Sequence, residues 1–185
     1  DTPETWEHSI EVQVPFLQRA LKDFKILPVM FGDADPETVG KALADIVDDQ
    51  TLVVASTDLS HYHPYDEAKG MDQRTLKWIC AMDFKSLQSR GAEESACGRM
   101  AVLTLMHLAR LKGWTPQLLD CRNSGDTSGD KSHGVVGYGA IAFDGPAAKA
   151  GPVSSPPAQS AATSAESKPA AGKSAAPFAA DERKF

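Results

Sequence analysis

Residues 51–57, TLVVAST, form a β-branched and nearly all-apolar run. That is how a strand buried on both faces reads, without the polar alternation of a half-exposed one. Such a strand needs helices above and below it. The flanking segments supply them. His8 to Leu21 carries Ile10, Val14, Leu17 and Leu21 at helical spacing, with Pro15 as a kink or break. KILPVMF, residues 25–31, reads as a second strand, and residues 36–49 as a helix with Asp35 as cap and Pro36 in its first position. Helices are expected over Tyr65–Ala81, over Phe84–Ser89 up to Gly91, and over Gly98–Lys112 up to Gly113. TPQLLDCR and HGVVGYGAIAF read as two closing strands. The alternation predicts an α/β fold, an αβα sandwich around one mixed, mostly parallel sheet.

The pattern stops near residue 145. From Pro146 to Phe185, Ala, Pro and Ser supply 25 of 40 positions. Such a segment buries too little apolar surface to offset its ordering entropy. The expected organisation is one domain over 1–145 and a disordered Ala/Pro/Ser-rich tail over 146–185. The net charge of −6 argues against a nucleic-acid surface, and no apolar run reaches membrane-span length. With no secretory signal pattern, cytoplasmic placement is expected. Cys80, Cys97 and Cys121 lack C-x-x-C spacing and read as reduced thiols.

Ligands of open α/β sheets bind beyond the carboxyl ends of strands, and two polar clusters fall there. In S-T-D-L-S-H-Y-H-P, Asp58 and His61 lie three residues apart on a turn. His61 suits a general base or a metal ligand, with Asp58 orienting it; the alternative is an Asx-type cap by Asp58. The second cluster, SGDTSGDKSHG at 124–134, has Lys131 and Ser132 placed as in a phosphate-binding loop. Asp130 stands where that loop needs glycine, and Asp126 and Asp130 have the wrong sign for phosphate. What survives is a turn-rich connection in which Asp126 either donates to a shared site or caps its own backbone. In E-H-S-I-E, His8 and Glu11 share a helix face, as a metal-binding pair or as plain surface. C-G-R places Cys97 and Arg99 at a helix start, where they either hold an anionic substrate or make a surface ion pair. His107, in mid-helix, reads as structural.

E-H-S-I-E-V-Q-V-P-F-L, S-T-D-L-S-H-Y, C-G-R and N-S-G-D-T-S-G-D-K-S, in this order, resemble the Memo-like family, also called AmmeMemoRadiSam system protein B. The resemblance covers residues 1 to about 145. It implies a fold similar to class III extradiol dioxygenases, which are non-haem iron enzymes, and a comparable metal site for iron or copper. It makes His8 a ligand and places His61 where those enzymes keep an acid/base residue. A further ligand histidine lies in an upstream G-x-S-H-H-type motif that this sequence does not contain. Together with the missing initiator Met, this predicts an N-terminally truncated fragment. The last ligand comes from the final loop, as cysteine in animal members; here the position falls at Thr127, next to Asp126. A His, His, Asp set suits ferrous iron. Bacterial members are associated with a radical-SAM protein and a third component. The expected function is therefore a redox enzyme or a component of such a system. The alternative is a non-catalytic protein that uses the same cleft for a peptide or small anion.

Overall fold

A computed structural model describes residues 8–91 and 95–145. The tail assigned to 146–185 lies outside the described residues. Six helices and two strands follow in the order α1 (Val14–Ala20), α2 (Pro36–Ile46), α3 (Tyr65–Cys80), α4 (Phe84–Gln88), α5 (Arg99–Lys112), β1 (Thr115–Asn123), α6 (Ser124–Ser128) and β2 (Gly137–Asp144).

The helix boundaries follow local chemistry. The Asp35 carboxylate accepts the Thr38 N–H at 2.9 Å and opens α2, with Pro36 in the first turn. Asp83 does the same for α4 through the Ser86 N–H at 3.0 Å. Gly113, at φ 69°, closes α5 in the left-handed region that costs glycine little. The first helix is shorter than expected. Residues 9–13 form turns, and Pro15, which has no N–H to give, sits in the first turn of α1 rather than kinking it.

α3 buries Ala68, Met71, Asp72, Thr75, Leu76 and Ile79, one face at helical spacing. That face packs on β1 and β2, while α5 packs against α2 and α4. The main core joins Ile79, Leu87, Val102, Leu103 and Met106, with Ala55, Ile141 and Phe143 against it. A smaller cluster of Leu59, Leu76 and Ala96 lies towards Cys121.

The α/β class holds, but the sheet differs from the expectation. β1 and β2 pair antiparallel, from Thr115 opposite Asp144 to Asn123 opposite Gly137, with an irregularity between Leu118 and Asp120. Neither 25–31 nor 51–57 joins a strand among the described residues. Ala55 reaches the core, yet Leu27, Val29, Leu52 and Val54 remain exposed. A buried-strand pattern yields a strand only where a neighbour supplies the second half of each hydrogen bond, and no described segment lies there to supply it.

Candidate functional site

The turn after residue 55 is where the sequence motifs meet. The Ser56 hydroxyl donates to the Ser9 carbonyl at 2.8 Å and accepts from Gln13 Nε2 at 3.1 Å. The E-H-S-I-E segment is thereby tied to it. One residue on, the Thr57 hydroxyl accepts the Gly98 N–H at 2.7 Å, and the Asp58 N–H points to Cys97 Sγ at 3.3 Å. A methyl at Gly98 would sit 2.7 Å from the Ser56 carbonyl oxygen, so this approach needs glycine. Leu59 N–H donates to the Gly137 carbonyl at 2.8 Å, and Gly137 N–H returns to the Ser60 carbonyl at 2.9 Å. Val135 N–H donates to the His63 carbonyl at 2.9 Å. Between these anchors Tyr62 takes φ 58°, a strained value for a non-glycine residue that turns the chain sharply between His61 and His63.

His61 Nε2 lies 3.8 Å from Asp58 Oδ2, facing it without a formed hydrogen bond. Both side chains are half-exposed, as groups that meet a ligand must be. His8 Nδ1 lies 3.2 Å from Glu11 Oε1, and its side chain is 71% exposed. A carboxylate on one ring nitrogen leaves the other free to ligate, the arrangement that orients metal-binding imidazoles. Cys97 is an exposed free thiol beside Asp58. Arg99 Nη1 donates to the Gln88 carbonyl at 3.4 Å on α4. His107 packs against Phe84 with ring centres 4.4 Å apart and planes tilted by 46°, and its Nδ1 lies 3.1 Å from Arg110 Nη2. Burial pushes its imidazole down, and Arg110 adds to this, consistent with a structural histidine.

The loop at 124–134 contains a helix the sequence patterns did not announce. Asn123 caps α6 by accepting the Asp126 N–H at 3.0 Å, and Asp126 Oδ2 returns to the Asn123 N–H at 3.1 Å, a reciprocal capping box. Asp126 Oδ1 takes the Tyr65 hydroxyl at 2.7 Å and lies 3.7 Å from Lys131 Nζ. The Tyr65 hydroxyl, foremost, holds this carboxyl below the usual carboxylate range. The Thr127 hydroxyl donates to the Ser124 carbonyl at 3.1 Å. Asp126 and Thr127 are therefore both engaged in holding the loop. Ser132, His133 and Asp130 mimic a catalytic triad in composition, but Ser132 Oγ and Asp130 Oδ2 both face the same His133 Nδ1, at 3.0 and 3.2 Å. That leaves no relay through the ring.

A family model described as "Memo-like protein" matches residues 1–142. The chain belongs to the Memo-like protein family. A MEMO1 family protein of Methanosarcina acetivorans is 41% identical over 156 residues, covering 76% of this chain and 57% of that relative. One from Methanosarcina mazei is 40% identical over 146 residues (74% and 54%), and one from Sulfolobus acidocaldarius 39% over 148 (75% and 51%). The Memo-like chain thus spans about half the length of the curated relatives it matches.

For this Memo-like chain the fit to a metal can be read from its own donors. His8 fits. Asp126 fits less well, because its carboxylate oxygens already serve the cap and Tyr65. Among the described residues, no three His, Cys, Asp or Glu side chains converge. Sequence reading missed two neighbours of the turn. Tyr138 on β2 has its phenol pushed up by burial, then by the charge of Asp58. Asp72 lies buried beneath. An isolated Tyr on a strand and an Asp within an amphipathic helix carry no motif, so only the packing exposes them.

Proposed function

We propose that the turn at 56–63 floors a ligand cleft in which His61 exchanges a proton with the bound molecule at Nδ1, the ring nitrogen that does not face Asp58. Asp58 orients that imidazole, while Cys97 and the backbone at Gly98 form one wall. His8 contributes an imidazole to a non-haem metal, iron or copper. Such a metal, when bound, supplies Lewis-acid and one-electron chemistry. On this reading the whole protein is a dioxygenase-like redox enzyme that works with a radical-SAM protein and a third component. The observation that carries it is the joining of E-H-S-I-E and C-G-R to the same turn through Ser56 and Thr57.

A second reading is a non-catalytic protein that holds a peptide or small anion in the same cleft. It is favoured by His8 having no second metal-donating side chain beside it and Glu11 among the described residues. Metal content per chain separates the two, measured by elemental analysis after identical reconstitution of the full-length protein with ferrous iron or copper. His8→Ala should remove most of the metal, and His61→Ala should leave it bound. Equal metal in wild type and His8→Ala moves the assignment to the binding protein.

A further inference from the structure

Asp72 sits in the middle of α3 and is 1% exposed. A carboxylate is costly to bury unless something specific receives it. Here Oδ1 accepts the Ser60 N–H at 2.9 Å. Burial pushes the Asp72 carboxyl up, and Ser60 and the imidazoles of His63 and His61 oppose that shift. The other side of the carboxylate is closed by Gly137, where any added methyl would run into it. Ser60 is thus clamped at both ends, its N–H by Asp72 and its carbonyl by the Gly137 N–H at 2.9 Å. Ser60 is the residue before His61 and two after Asp58. The clamp therefore lies, along the chain, between Asp58 and His61, whose side chains face each other at 3.8 Å.

We propose that Asp72 is the positioning residue of the Asp58–His61 pair: by accepting the Ser60 N–H under the turn, it fixes the direction in which His61 is presented. The proposal rests on reading His61 as the cleft's proton-exchanging group. Asp72 touches no ligand in this scheme and acts only through Ser60. Acceptor geometry is the working feature, so an amide oxygen in the same place serves as well as a carboxylate. This separates positioning from a role as a fixed negative charge.

The test is NMR of the full-length protein labelled with ¹⁵N, comparing wild type, Asp72→Asn and Asp72→Ala well below each melting temperature. In wild type and Asp72→Asn, His61 should show two well-separated ring-nitrogen signals of a single tautomer. In Asp72→Ala these should collapse towards averaged positions while His107 and His133 stay unchanged. The Ser60 N–H should exchange with solvent at least about tenfold faster in Asp72→Ala than in wild type, from the loss of a bond to a charged group. A folded Asp72→Ala protein with wild-type His61 signals overturns the proposal, as does Asp72→Asn disturbed as much as Asp72→Ala. Should Asp72→Ala not fold, wild type alone still decides, because a Ser60 N–H that exchanges as fast as an exposed amide overturns it too. None of these signals depends on turnover. An inert His61→Ala substitution would remove the proton-exchange reading and leave the Asp72–Ser60 result standing.

Discussion

Asp130 shows how a single exposed side chain is tuned by near neighbours. The Ser132 hydroxyl donates to its Oδ1 at 2.6 Å and the Ser132 N–H at 2.9 Å, and together with His133 they lower its carboxyl to about 2. A carboxyl depressed on folding adds stability above its unfolded value, and that contribution is lost as the pH falls towards about 2. Carboxyl ¹³C shifts followed from pH 5 downward should place the Asp130 midpoint well below that of an unstructured aspartate (about 3.9). An ordinary midpoint would show that the Ser132 contacts do not persist in solution. The residues that the sequence singled out were those whose type and spacing form a motif: His8, Asp58, His61, Cys97, Arg99 and Asp126. Asp72 was not, since an acidic residue at one helix position normally faces water, and only the neighbouring turn makes it a buried acceptor.

At the scale of elements, legibility followed the source of each element's stability. α2, α3 and α5 appeared close to their expected bounds because apolar spacing, caps and a terminal glycine all act locally. α6 did not, because a five-residue helix has no apolar period to show, and its signal is only the Asn123–Asp126 box. Asn123 is nearly fully buried, and its side chain carries one of the two reciprocal bonds. Asn123→Ala should lower unfolding stability by about 1 kcal/mol in denaturant titration. An unchanged midpoint would mean that α6 is held by Tyr65 and Gly125 packing alone. The runs at 25–31 and 51–57 carry strand composition but pair with no described strand. Composition reports that a segment suits a sheet; pairing partners decide whether it enters one.

Across the molecule, apolar surface is distributed unevenly. α1 buries none of its residues, and Phe16 is 74% and Leu27 76% exposed, with Val29, Met30, Leu52 and Val54 also open. Exposed apolar surface on this scale marks an interaction face or an aggregation hazard. The chain should bind a hydrophobic dye such as ANS and unfold over a broad range. A sharp, cooperative melt without dye binding would show that this surface is covered in solution. No helix among the described residues is long and apolar enough to cross a membrane. The central claim is that the E-H-S-I-E segment and the turn at 56–63 serve one site, joined through Ser56. Paramagnetic Cu(II), added in substoichiometric amounts to ¹⁵N-labelled full-length protein, tests it directly. The account predicts that amide signals of residues 8–13 and 56–61 broaden together, that those of α2 stay sharp, and that His8→Ala abolishes the effect. Broadening confined to other regions, or undiminished in His8→Ala, would contradict it.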